Sequence, residues 1–158
     1  MQIDEQRLHA LMGLMVNELG AAQNAALVIV GDELGLYAAL ADQGPLTPDG
    51  LAAATGTHER YVREWLSAQT ASGFVSYDPA TKLFSLSPEQ EAVLADKDSV
   101  ANMVGGFHAL VATYADRPRL RDAFGSGEGV SWTARCNCLF CATDRFFPAG
   151  YMANLLSS

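Results

Sequence analysis

Basic residues are scarce in this chain of 158: ten lysines and arginines stand against eighteen aspartates and glutamates, for a net charge of -8. A surplus of that sign opposes the phosphate attraction behind most nucleic-acid affinity, so nucleic acid is not expected as a partner. Cysteine is confined to Cys136, Cys138 and Cys141, an odd count in one short segment, which excludes the disulfide framework of a small secreted domain and leaves reduced thiols. No apolar run approaches the roughly 20 residues that cross a bilayer. The opening MQIDEQRLHA also lacks the basic and then apolar order of a signal peptide. These absences together imply a cytoplasmic protein that does not enter membranes.

What is present is apolar and helical. Hydrophobic residues make up 49% of the chain, enough for one core of ordinary size. Leu8, Leu11, Met12, Met15 and Leu19 recur at helical spacing, which predicts an amphipathic helix over 4–19 closed by Gly20. A second helix continues through AAQNAALVIVGDELGLYAALA, apolar on nearly every side between Ala25 and Val30 and expected to be buried all round.

In LTPDGLAAATGT, Thr47 can cap a helix, Pro48 suits its first position and Gly56 ends it. The next helix, in HERYVREWLSAQTASGFV, is expected to start on Thr57 and to carry Tyr61, Val62, Trp65, Leu66 and Gln69 as one apolar stripe. Two helices joined by a glycine turn form a helix-turn-helix. FVSYD and KLFSLS then alternate around DPATK, the pattern of a hairpin. The fold expected is mainly α: a winged helix-turn-helix with a two-stranded wing, over 34–90. N-terminal dimerisation helices precede it over 1–33, and linker helices come after it over 91–158. In that last part Asp98 or Ser99 should cap a helix bearing Val100, Met103, Val104, Phe107, Leu110, Val111 and Tyr114. Pro118 should open a short helix through Phe124, and Asp144 begins a last one.

Charge decides what the helix-turn-helix can touch. Between Pro45 and Gln90 five acidic residues outnumber Arg60, Arg63 and Lys82, a net of -2. Both arginines have acidic residues at ion-pair spacing, Glu59 with Arg63 and Arg60 with Glu64. A groove-reading helix needs free basic side chains, so this one is expected to pack against protein.

The run LGLYAALADQGPLTPDGLAAATGTHERYVREWLSAQTASGFVSYD resembles the N-terminal winged-helix dimerisation region of bacterial class I S-adenosylmethionine-dependent methyltransferases, particularly those related to small-molecule O-methyltransferases. AFGSGEGVSW and TDRFFPAGYMANLL resemble the linker helices of that group. The resemblance implies a homodimer, a small-molecule substrate, and a pocket wall containing Phe107, His108, Trp132, Phe146, Phe147 and Tyr151. It also implies S-adenosylmethionine as cofactor of the full-length parent. The acidic-x-G-x-G turn that holds this cofactor is absent, so the chain reads as the front part of a longer enzyme and should bind none alone.

Other chemistry is thin. RCNCLFC offers three thiolates to zinc, yet no second CxxC and no nearby histidine completes a site, so no metal is expected. A lone histidine on such a helix is more often structural, yet the resemblance raises the case for His108 as the base that frees an acceptor of its proton; the catalytic residue stays unassigned. Two other readings remain open: a winged-helix transcriptional regulator, and a freestanding small-molecule binding protein lined by Phe107, Trp132, Phe146 and Tyr151.

Overall fold

Asp4 starts the first helix, its carboxylate accepting from the backbone N–H of Gln6 and Arg7. The computed structural model describes residues 3–131 and, beyond them, Leu139, Thr143, Asp144, Phe146 and Phe147. In it this helix, α1, runs unbroken over Glu5–Glu33. The expected stop at Gly20 does not occur. A glycine ends a helix by turning left-handed, and Gly20 is not among the residues with positive φ. Good helix formers, Ala21 and Ala22, carry the helix on.

The all-round burial expected at Ala25 to Val30 is also corrected: Ala25 and Val28 are buried, whereas Ala26 and Val30 are exposed. One face of this stretch meets the protein and the other meets solvent. Taken whole, α1 is long and apolar enough to cross a bilayer, with a mean hydropathy of 1.3 over 18 residues. Asn17, Glu18, Gln23 and Asn24 interrupt it, which is why no uninterrupted run was visible.

Gly35, at φ 69°, turns the chain into α2 (Leu36–Gln43). Thr47 then caps α3 (Pro48–Thr55), and Gly56 ends it at φ 65°, as expected. The cap of α4 (Glu59–Ala71) is His58, not Thr57: its Nδ1 accepts from Arg60 N, while the Thr57 and Thr55 hydroxyls bond each other at 2.8 Å. Tyr61, expected in the apolar stripe, lies outside it, 73% exposed against 4% for Trp65.

The hairpin pairs β1 (Ser76–Asp78) with β2 (Leu83–Ser85) antiparallel, Tyr77 opposite Phe84. Leu46 bridges to Phe84 on the other side, tying the wing to the loop before α3. A helix that periodicity did not reveal, α5 (Pro88–Leu94), comes next with a full capping box between Ser87 and Gln90. The signature Ser-Pro-Glu-Gln is the signal for it.

The helix expected from Asp98 or Ser99 starts later, as α6 (Val104–Ala115). Ser99 instead bonds Ala101 N in a turn, and Val100 lies exposed. The last regular element is α7 (Arg117–Ser126), close to the expected span. Among the described residues the fold is seven helices and one two-stranded sheet, a mainly α winged helix.

The core joins α1, α2, α3, α4 and the wing through Val28, Leu36, Tyr37, Leu40, Leu51, Trp65, Leu66, Val75 and Phe84. Its tightest point is Gly31. A Cβ there would run into the Trp65 ring and come within 2.8 Å of Tyr37 Cε2.

Candidate functional site

Three polar links hold α1 where the rest of the molecule meets it. The Trp65 indole N–H donates to the Leu27 carbonyl at 2.8 Å. The Tyr37 hydroxyl donates to Gln69 Oε1 at 2.6 Å, and Gln69 Nε2 donates to Asn24 Oδ1 at 2.8 Å. Gln69 is fully buried, so this chain of bonds satisfies an amide that would otherwise be costly inside a core. Burial pushes the Tyr37 phenol well above its ordinary range, and the nearby Asp32 carboxylate pushes it further.

The third link involves the one polar residue that the sequence singled out for the site. His108 Nε2 lies 3.1 Å from Asp32 Oδ2, joining α6 to α1 with both side chains mostly buried. The carboxylate fixes the ring's orientation and, where Nε2 carries the proton, leaves Nδ1 as the acceptor.

Phe107, the neighbour of His108, faces elsewhere. Its ring meets Phe74 edge to face, centroids 6.3 Å apart and planes at 74°. Together they border a cavity of about 420 Å³ between the wing's base, α5 and α6, lined also by Gly73, Glu89, Gln90, Val93, Leu94 and Met103. Phe107 thus lines this cavity, and His108 is not among the residues that line it. Phe146 packs on a third surface, the glycine pair of α6, where a Cβ on Gly105 would stand 2.9 Å from Phe146 N. The Phe147 ring meets that of Phe146 edge to face, centroids 5.3 Å apart. Trp132, Tyr151, Cys136, Cys138 and Cys141 lie outside the described residues.

Phe74, Asp32 and the Tyr37–Gln69–Asn24 chain were missed by sequence reasoning. Their partners are far away in the chain, 76 positions in the case of Asp32 and His108.

On α4 the Glu59 and Arg63 side chains form the expected ion pair, while Arg60 and Glu64 do not. Half of the basic face is thus neutralised locally. Among the described residues no group of three or more His, Cys, Asp or Glu side chains could hold a metal ion. The described residues also do not fit S-adenosylmethionine: their one sheet is the wing, and its turn, Pro79 to Lys82, contains no glycine to admit a nucleotide.

Residues 22–96 match the family of the Rv2258c-like winged HTH domain. No curated protein matches the chain. Among solved structures it is similar to the mitomycin 7-O-methyltransferase MmcR, at 22% identity and TM-score 0.71, over 95% of this chain and 47% of that one. It is similar also to CalO1, a methyltransferase of calicheamicin biosynthesis in its SAH-bound form, at 21% identity and TM-score 0.66, over 96% and 47%. An O-methyltransferase family protein from Burkholderia thailandensis aligns at 16% identity and TM-score 0.65, over 100% and 46%. The chain thus spans about half the length of the structures it matches. The match to the Rv2258c-like winged HTH domain is confined to residues 22–96, and the fold of the chain is similar to that of about half of each of these methyltransferases.

Proposed function

We propose that this chain is the N-terminal dimerisation and substrate-cover region of an S-adenosylmethionine-dependent methyltransferase acting on a small molecule in the cytoplasm. The carrying observation is its likeness, along nearly its whole length, to about half of each of these methyltransferases. The cofactor would be held by a Rossmann-like domain of the parent, since the donor set for it is not found among the described residues.

The division of labour would run along the chain: dimerisation helices over 1–33, the winged helix over 34–90, and linker helices over 91–158. Support for self-association comes from α1, whose Leu11, Met15 and Leu19 are 56%, 58% and 60% exposed. A row of such side chains is costly to leave in water, and a second copy's α1 offers the matching apolar face. On the substrate side, Trp132, Phe146, Phe147 and Tyr151 would supply apolar wall, while Phe107 lines the separate cavity beside Phe74. His108, its ring oriented by Asp32, is a candidate to take a proton. The acidic module and the Glu59–Arg63 pair argue against DNA as the partner.

Light scattering of the purified chain at micromolar concentration should give the mass of a homodimer, and a monomer there overturns the dimerisation role. Reading the gene beyond the codon for Ser158 tests the parent: an in-frame strand ending in acidic-x-G-x-G is expected, and a stop codon at that point removes methyl transfer from the proposal.

A further inference from the structure

We propose that the cavity between the wing's base, α5 and α6 is a small-molecule site of its own, and that it takes an aromatic molecule carrying a cationic group. At about 420 Å³ it has the size of a ligand pocket, well beyond a packing flaw. Its walls are Phe74, Val93, Leu94, Met103 and Phe107. Phe74 and Phe107 meet edge to face, which leaves a free face and a free edge for a third ring, and the Met103 thioether adds a soft contact.

The polar part of the lining is selective. Gln90 is spent on the fold: its Oε1 accepts from Ser76 Oγ and Ser87 N, and its Nε2 donates to the Gly73 carbonyl at 2.9 Å. That leaves Glu89 as the one ionisable group in the lining. The Ser87 hydroxyl donates to its carboxylate at 2.8 Å and holds its pKa below the usual value, so the group is anionic at neutral pH. An apolar chamber with a carboxylate at its mouth admits an amine and turns away a carboxylate or phosphate. The site needs no cofactor and no second domain, so it does not rest on the methyltransferase reading.

Calorimetric titration of the chain with phenylbutylamine, phenylbutanol and phenylbutyrate tests it. The amine should bind about tenfold more tightly than the carboxylate at low salt, with the alcohol between them. Glu89→Gln should bring the amine down to the alcohol and leave the alcohol where it was. Met103→Trp, at a position just before α6 that is 47% exposed, should fill the cavity and abolish binding of all three. Equal affinity for amine and carboxylate in the unaltered chain overturns the proposal. Binding that survives Met103→Trp, or no saturation by any of the three at millimolar concentration, does the same.

Discussion

The two halves of α1 belong to one helix and live in different solvents. From Leu8 to Leu19 every residue is exposed, although Leu11, Met12, Leu14, Met15, Val16 and Leu19 are large and apolar. From Asn24 to Asp32 the same helix is held by Trp65 and Gln69 of α4 and His108 of α6, with Val28 and Gly31 buried beneath. Hydrophobicity therefore does not separate the halves; polar anchoring does. The second half spends Asn24, Asp32 and its Leu27 carbonyl on neighbours, while the first half, among the described residues, stays exposed along its whole length.

The sharpest way to break that contrast is Trp65→Ala. It removes a buried ring and the bond to Leu27, and should cost about 3–5 kcal/mol in urea unfolding. A loss below about 1 kcal/mol would mean that the second half is not anchored by this ring.

Next comes Tyr37→Phe, which strands Gln69 Oε1 and should cost about 1–3 kcal/mol at neutral pH. The Tyr37 pKa is raised in the folded protein, so the neutral phenol favours folding. Its contribution is complete below the unfolded value of about 10 and is lost as pH rises above it. Unfolding midpoints measured from pH 8 to 11 should fall steeply for the unaltered chain and less for Tyr37→Phe; parallel curves would dissociate the residue from the alkaline loss.

The smallest effect belongs to the first half. Met12→Glu with Met15→Glu should change the unfolding free energy of dilute protein by less than about 0.5 kcal/mol, while abolishing the dimer that light scattering is expected to show for the unaltered chain. A large destabilisation in dilute solution would erase the distinction between the halves.

Which features could be read beforehand depends on the range of the forces involved. Thr47, Pro48 and Gly56 act on their own turn, so the bounds of α3 were legible. The wing was legible for the same reason, from alternation beside a turn. Gly20 misled because a glycine permits a left-handed stop without demanding one, and the helix-forming Ala21 and Ala22 next to it favour continuation. Thr57 and His58 compete for one cap, and the hydroxyl of Thr55 settled the matter by engaging Thr57. At the candidate site Phe107 meets Phe74 and His108 meets Asp32, because neighbours on a helix point about 100° apart. Asp32, Phe74 and Gln69 were illegible because their meaning lies in partners brought near only by tertiary packing.

Gly31 carries a last consequence. There the helix rests against the Trp65 and Tyr37 rings with no space for a methyl group, which makes it a fulcrum. From that seat to Leu8 the helix extends about 35 Å as a stiff arm. A tilt of about 5° at the rings would sweep the far end through about 3 Å, roughly the width of a methyl group. The alignment of whatever grips the outer arm is thus set by two aromatic rings deep inside the winged helix, and a substitution there would be felt first as a misaimed partner.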